Sequence, residues 1–392
     1  MPITPNSTKE CSGCGACVSI CPKNAITMVP NTEGFLFPVV NPEKCINCNL
    51  CAKVCPVNNV DTSNSKTPEA FAVQANDEIR LKSSSGGVFT VLALYILKQG
   101  GYVCGAGFDD SGKICHQIIS NENDLKLLQG SKYVQSVIGN TYKEVKNLLG
   151  SENLVFFTGT PCQVAGLKSF LGRNYDNLIT ADLICHGVPS PKVFQKYIAE
   201  LVPQDEKFKN TVFRDKNLGG WENQVITTHT SNQALSSSTA QDDFMRAFLG
   251  NISLRGSCSN CPFQSIPMQG DVTLGDFWGI NNYDPGLNDG KGTSLLLINN
   301  PKGKQIIKNI EDEFKTIVNM PLKAALASNP HLTNFGLFKN ANRKLFFELL
   351  DKKTLKECNS LCLDDICDYL IINFWWGLNY GANLTAYAIQ EE

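Results

Sequence analysis

The sequence predicts a chain of mixed α+β and α/β character in two parts: a short cysteine-rich module and, behind it, a larger domain with a mixed sheet. Two observations carry this. Residues 11–55 hold two cysteine runs of identical spacing, and from about residue 69 apolar, strand-like stretches alternate with helix-like ones.

The first run is Cys11-Ser-Gly-Cys14-Gly-Ala-Cys17-Val-Ser-Ile-Cys21-Pro22, and the second is Cys45-Ile-Asn-Cys48-Asn-Leu-Cys51-Ala-Lys-Val-Cys55-Pro56. Each reads C-x₂-C-x₂-C-x₃-C-P, the ligand pattern of a bacterial-type ferredoxin with two 4Fe-4S clusters, in which the fourth cysteine of each run serves the other cluster. Cys11, Cys14, Cys17 and Cys55 are therefore assigned to one cluster, and Cys45, Cys48, Cys51 and Cys21 to the other. Three thiolates two residues apart wrap one cubane through a tight loop. Gly13, Gly15 and Ala16 leave room for it, and Pro22 and Pro56 turn the chain away. Paired zinc sites also use C-x₂-C, but two complete copies with the proline in place favour clusters. Disulfides are disfavoured in the reducing cytoplasm, the compartment expected for a sequence with no signal peptide at its start.

Composition bounds the rest. A chain of 392 residues with 42% apolar and 18% charged residues can build two or three domains around sizeable cores. A net charge of -2 implies neither a nucleic-acid groove nor an anionic membrane surface as partner. No apolar run reaches transmembrane length, and Val88 to Leu97 reads as a buried helix. Eight of the 17 cysteines sit in the twin runs; the other nine do not repeat their spacing.

In chain order, residues 1–60 form the cluster module, with Ile26 to Val39 as the hairpin between the runs. Residues 61–68 are a polar linker. The span 69–355 is the large domain, and 356–392 is a tail. Within the large domain, strands are expected at Phe71–Gln74, Tyr102–Phe108, Asn153–Phe157 and Leu178–Ile184. Helices are expected at Val88–Leu97, Leu125–Leu128, Tyr142–Leu149, Val164–Leu171 and Lys192–Ala199. The second half adds strands at Val212–Arg214, Gln224–Thr230, Ala234–Ser238, Val272–Gly275 and Ser294–Asn299. Its helices are expected at Asp242–Leu249, Lys304–Glu311 and Asn342–Leu350.

The polar motifs Thr158 to Gln163 and Cys185 to Ser190 both follow apolar strands. That places them at carboxyl ends of strands, the usual ligand edge of an α/β sheet. Adjacent strand ends can bring Cys162 and Cys185 together, and with Cys258 and Cys261 they make a candidate third 4Fe-4S site. A zinc knuckle at Cys258 and Cys261, and a redox or nucleophilic thiol at Cys162, are the competing readings. Cys104 and Cys115 read as core thiols. Cys358, Cys362 and Cys367 read as free thiols, the first two sharing a helix face.

Ser83 to Gly87 resembles an anion cradle before a helix N-terminus and suits a flavin phosphate, although such clusters also serve as plain caps. Ser131, Lys132 and Tyr133 offer a hydroxyl, a cation and a ring; a solvated loop is the alternative. Lys132, Asp182 and His186 are the candidate catalytic residues. His186 would protonate a flavin or substrate, or else only bond to sulfur or backbone; a buried Asp182 needs a partner. Asp271, Gly275, Asp276, Trp278 and Gly279 form a polar and aromatic patch, and Phe213 to Lys216 with Trp221 another. Both also read as turns and core anchors. No G-x-G-x-x-G follows a strand, so a dinucleotide-binding Rossmann motif is not supported.

Taken as a set, Ser84-Ser-Gly-Gly87, Gly130-Ser-Lys-Tyr133, Thr158-Gly-Thr-Pro-Cys-Gln163, Ile184-Cys-His-Gly187, Arg255 to Cys261 and Gly275-Asp276 resemble the beta subunit of the deazaflavin-dependent hydrogenases and dehydrogenases, the coenzyme factor-420 hydrogenase/dehydrogenase family. The resemblance runs from about Glu69 to Leu350, behind the twin-cluster module. It implies FAD, an iron–sulfur cluster, and electrons moving between reduced deazaflavin and partner redox centres. Ser84, Ser85, Gly86, Gly87, Ser131, Lys132, Tyr133, Thr158, Gly159, Thr160 and Pro161 would surround the flavin, and Cys162, Cys185, Cys258 and Cys261 would hold the nearby cluster. Ile371 to Gln390 is similar to the opening strand and helix of polysaccharide pyruvyl transferases, either as a piece of a fusion or as a vestige; an ordinary terminal strand and helix is the alternative.

The expected function is therefore a cytoplasmic iron–sulfur flavoprotein oxidoreductase. It would pass electrons between a two-electron partner at FAD, a deazaflavin or similar hydride donor or acceptor, and a one-electron redox protein or ferredoxin, through three 4Fe-4S clusters. A homo-oligomer is compatible with this. The competing readings are an electron-transfer subunit with no substrate of its own and a non-redox scaffold in polysaccharide modification.

Overall fold

The computed structural model describes residues 10–333 and 340–363. Its largest element is an eight-stranded mixed sheet made of β3 (Glu69–Gln74), β4 (Tyr102–Phe108), β5 (Ile114–Ile119), β6 (Val155–Gly159), β7 (Leu178–Leu183), β11 (Val272–Asp276), β12 (Ser294–Ile298) and β13 (Thr316–Met320). The order is β13-β3-β12-β11-β7-β6-β4-β5. The central strands β11, β7, β6 and β4 are parallel, and both flanks are antiparallel. A hairpin of β1 (Ile26–Pro30) and β2 (Leu36–Val40) belongs to the N-terminal module. A separate antiparallel sheet joins β8 (Phe208–Val212), β9 (Val225–Thr230) and β10 (Ala234–Ser238).

Strands covered on both faces carry unbroken apolar runs. Val-Phe-Phe in β6 and Leu-Leu-Leu in β12 are fully buried. On one face, the helix Val88–Lys98 sets Val91, Leu92 and Ile96 against Phe156, Ile179 and Leu296. On the other, the helices Thr141–Gly150 and Pro161–Leu171 set Tyr142, Val164 and Leu167 against Val155, Phe157 and Leu178. A second core of Phe194, Phe213, Phe244, Phe248 and Phe346 fills the space beside the small sheet. Cys358 and Cys362 lie in it, buried on the helix Leu355–Leu363, so the tail expected from residue 356 starts inside a packed helix. The stretch 371–390 and Cys367 lie outside the described residues.

Four elements differ from expectation for local reasons. β5 was hidden by His116, which is buried through hydrogen bonds rather than apolarity. β13 is a half-exposed edge strand with a weak pattern. β8 ends at Val212, because Phe213 drops into the second core and Arg214 turns to Asp276. The helix after β6 starts at Pro161: Thr160 and Gln163 form a capping box, so Cys162 lies in the first helical turn.

The N-terminal module is packed onto the body. Cys14, Ala16 and Val54 complete the core beside the helix Pro161–Leu171, and a Cβ on Gly166 would lie 3.0 Å from Cys14 Sγ. Residues 61–68 are tied down as well: Asn64 Nδ2 donates to the carbonyls of Met268 (2.7 Å) and Gly270 (2.8 Å). At the centre of the seam is Arg255, 1% exposed. Its guanidinium donates to Cys11 O (2.7 Å), Leu36 O (3.0 Å) and Gln135 Oε1 (3.0 Å), between the rings of Phe35 and Phe37. Glu33 in the hairpin pairs bidentately with Arg343 at 2.8 and 2.6 Å.

Replacing Arg255 by Met strands those three acceptors. At roughly 1–3 kcal/mol per stranded buried group, a loss of about 3–9 kcal/mol is expected. It would appear as a lower urea midpoint for release of the module; an unchanged midpoint would contradict the role assigned to the guanidinium.

Candidate functional site

A cavity of about 370 Å³ opens at the carboxyl ends of β6, β7 and β11. Of the predicted residues, Ser84, Ser85, Gly87, Ser131, Lys132, Tyr133, Thr158, Gly159, Thr160, Cys185 and His186 line it. Gly86 and Pro161 do not line it but shape its wall. A Cβ on Gly86 would lie 2.2 Å from Val73 O, and Pro161 opens the helix behind Thr160.

The first wall is the loop Ser83–Gly87. Gly87, at φ +94°, turns the chain into the helix Val88–Lys98, whose first-turn N–H groups have no helical acceptor. Ser131 N donates to Ser84 Oγ (2.7 Å), which joins this loop to the segment 130–136. Beneath it, Lys216 Nζ donates to the carbonyls of Arg80 (2.8 Å), Ser85 (2.6 Å) and Lys291 (2.6 Å). Three carbonyls need three N–H donors, which only the ammonium supplies. Burial opposes that charge and pushes the pKa of Lys216 down to about 7.

Lys132 Nζ donates to Gln129 O (2.7 Å), and burial takes its pKa down to about 7 as well. The Tyr133 ring stacks on Phe248 with centroids 5.0 Å apart. Thr158 O accepts from His116 Nε2 (3.1 Å), so His116 Nδ1 is the acceptor for Ser136 Oγ (3.0 Å). Gln163 Nε2 completes the chain on Ser136 Oγ (3.0 Å). At the end of β7, His186 Nε2 bonds to Asn251 Oδ1 (2.7 Å), with the ring edge-on to Phe248. Burial lowers both histidines to about pKa 4. At the end of β11, Asp276 accepts from Trp221 Nε1 (2.7 Å) and pairs with Arg214. Trp278 lies flat on Trp221, 3° from parallel and 5.0 Å away, with the Arg214 guanidinium 5.2 Å from its ring.

Asp182 is not brought to this cavity. Its carboxylate accepts from Gln269 N (2.7 Å), Gly270 N (2.8 Å) and Thr273 Oγ1 (2.6 Å), and it is fully buried. Burial raises its pKa to about 6, against those hydrogen bonds. It anchors the loop before β11, and at the end of β7 the cavity takes Leu183 and Ile184 instead. Sequence reasoning passed over His116, a histidine inside a strand with no local motif, and placed Lys216 only in the Phe213 to Lys216 patch, without its role under the Ser83–Gly87 loop.

The cysteines fall into three sets. The first is Cys11, Cys14, Cys17 and Cys55: burial raises Cys14, Cys17 and Cys55, with Cys17 pushed to about 12, and Cys11 adds to each rise, as Cys51 of the second set does for Cys17 and Cys55. Cys21, Cys45, Cys48 and Cys51 line a second, small cavity of about 20 Å³. Cys162, Cys185, Cys258 and Cys261 form the third set. Burial raises all four, with Cys258 at about 11, and members of the set raise Cys185, Cys258 and Cys261 further. Arg255 pulls Cys162 and Cys258 back down. Cys162 also acts on Cys14, so the third set borders the first. The backbone is shaped around these sulfurs. Gly13 and Gly15 in the first run and Asn47 and Asn49 at the same places in the second are left-handed. Gly13 N donates to Cys11 Sγ (3.4 Å) and Ala25 N to Cys21 Sγ (3.3 Å). Among the described residues no three His, Cys, Asp or Glu side chains gather tightly enough to grip a single metal ion.

Residues 10–59 match the model of the 4Fe-4S dicluster domain, and residues 152–321 match that of the C-terminal part of the coenzyme F420 hydrogenase/dehydrogenase beta subunit. No curated protein matches the chain. Among solved structures, a chain of the F420-reducing [NiFe] hydrogenase complex from Methanosarcina barkeri aligns with 76% of this chain and 92% of its own at 17% identity, with a TM-score of 0.45. The chain thus carries an N-terminal 4Fe-4S domain followed by a domain of the F420 hydrogenase/dehydrogenase beta-subunit type, and the shared theme of the two is electron transfer. Among the described residues no helix is long and apolar enough to cross a membrane.

His116 supplies a pH test. Its folded pKa lies near 4 and its unfolded value near 6.5, so between those values only the unfolded chain binds a proton there. Stability should fall as pH drops through that window and level off below it. His116→Gln should flatten the plot of urea midpoint against pH between about 6.5 and 4; parallel curves for the two proteins would contradict a buried neutral imidazole.

Proposed function

We propose that the protein is an iron–sulfur flavoprotein oxidoreductase. FAD would sit in the large cavity and exchange a hydride with a small partner such as a reduced deazaflavin. The observation that carries this is contiguity: Cys185 lines the cavity, its set borders Cys14, and the twin runs continue outward from there. FAD converts electron pairs to single electrons, and 4Fe-4S clusters carry them singly.

The residues fit these groups. Four half-buried thiols in one place are costly as bare thiolates, and cluster iron removes that cost. The crossed sets are supported by Cys11 and Cys55 both acting on Cys17, although Cys51 acts on it too, and by Cys21 sharing one small cavity with Cys45, Cys48 and Cys51. Ser84, Ser85, Ser131 and the first-turn N–H groups after Gly87 would hold the diphosphate, with Gly86 letting the loop press close. Tyr133 and Thr158 to Thr160 would border the ring, and Pro161 would fix the turn beyond it. Lys132 is the proton carrier of the site: with a pKa near 7, its Nζ holds or releases a proton at working pH. His186, neutral and bonded to Asn251, orients rather than protonates. Asp182 takes no catalytic part. The module 1–60 and the body from residue 69 are the two working units, joined by 61–68.

Two variants test this on protein purified without oxygen. Cys185→Ala should lower iron from about twelve to about eight atoms per chain. Lys216→Met should loosen its three loops and weaken FAD binding by about tenfold, or about 1.4 kcal/mol, with iron unchanged. A wild-type protein with about eight irons and no flavin would overturn the reading.

A further inference from the structure

We propose that the face around Cys45, Cys48 and Cys51 is the docking surface for an acidic one-electron carrier protein. This rests on the function proposed above and assigns its outlet.

The two cysteine runs repeat at a spacing of 34 residues, as the pair Cys11 and Cys45 shows, so each position has a counterpart in the other. The counterparts differ in surroundings. In the first run Cys14 is 9% exposed and Ala16 is fully buried, and Gln135 donates to Ser12 O, all against the body. In the second run Cys48 is exposed, and bulky apolar residues stand where small ones stood. Ile46 replaces Ser12 and is 56% exposed; Leu50 replaces Ala16 and is 37% exposed. Both line the small cavity of Cys21, Cys45, Cys48 and Cys51. One copy of the repeat has its partner surface within the chain. The other offers the matching surface, more apolar, to a partner outside it.

Charge identifies the partner. Lys23, Lys44 and Lys53 around this cavity are exposed and in no ion pair among the described residues. From Cys21 to Cys55 the only carboxylates are Glu33, held by Arg343, and Glu43. An apolar centre with a cationic rim suits an acidic carrier, which such a rim steers and orients. Each docking event moves one electron between the outer cluster and the carrier's own centre, one being oxidised as the other is reduced. Two events balance the electron pair of one hydride exchanged at the cavity, whose proton is taken up or released there.

The test is a binding titration with cluster-loaded protein, its iron measured first, against an acidic 2Fe-2S ferredoxin and a basic c-type cytochrome. The ferredoxin should bind the wild type and weaken at least about tenfold in K44E/K53E and in I46S, and between about 50 and 300 mM salt, with iron content unchanged. The cytochrome should bind the charge-reversed variant better than the wild type. Equal ferredoxin affinity for wild type and variants, or no binding of either probe by fully loaded wild type, would overturn the proposal. So would an I46S-sensitive dimer, which would make the occupant a second copy of the chain. A wild type whose twin runs take up no iron would instead overturn the functional reading beneath it.

Discussion

The buried guanidinium of Arg255 is the contact on which the arrangement depends. Burying a charge is costly unless each donor finds an acceptor. Here the acceptors come from three separate segments: the first cysteine run at Cys11, the hairpin at Leu36 and the cavity segment at Gln135. Two of the three contacts, to Cys11 and Leu36, form only when the module is seated on the body. Gly13 records the closeness, since a Cβ there would lie 2.8 Å from the guanidinium. The same charge offsets part of the rise that burial imposes on the Cys162 and Cys258 thiols. One side chain therefore sets both the distance between the first and third cysteine sets and part of their electrostatics.

Around it, polar groups are buried only where they are bonded. Lys216 under Ser85, His116 between Thr158 and Ser136, and Asp182 under Gln269 and Gly270 each fix one wall or its support. Such fully bonded positions hold the cavity open without apolar filling, leaving Lys132 and the stacked Trp278 at its surface.

Much of this was legible in the sequence, for physical reasons. The twin runs were, because cluster ligands demand fixed spacing. The parallel strands β6 and β7 and the motifs at their ends were, because buried strands are continuous apolar runs and ligand residues collect where they stop. What was hidden depends on distant partners. β5 carries a buried histidine whose acceptor is 42 residues away, and Lys216 reaches carbonyls 75 to 136 residues away. Asp182 looked catalytic because a buried carboxylate is equally conspicuous whether it meets a substrate or two backbone N–H groups. The unequal exposure of Cys14 and Cys48, at matching places in the two runs, appears only once the body covers one of them.

The central claim is that one continuous redox route runs from the cavity through three cysteine sets to the surface. An anaerobic reductive titration, followed by flavin absorbance and by EPR, counts its members directly. Three one-electron clusters and one two-electron flavin predict about five electrons per chain, with magnetic coupling between neighbouring reduced clusters. About two electrons, with isolated cluster signals and no flavin bleaching, would contradict the account.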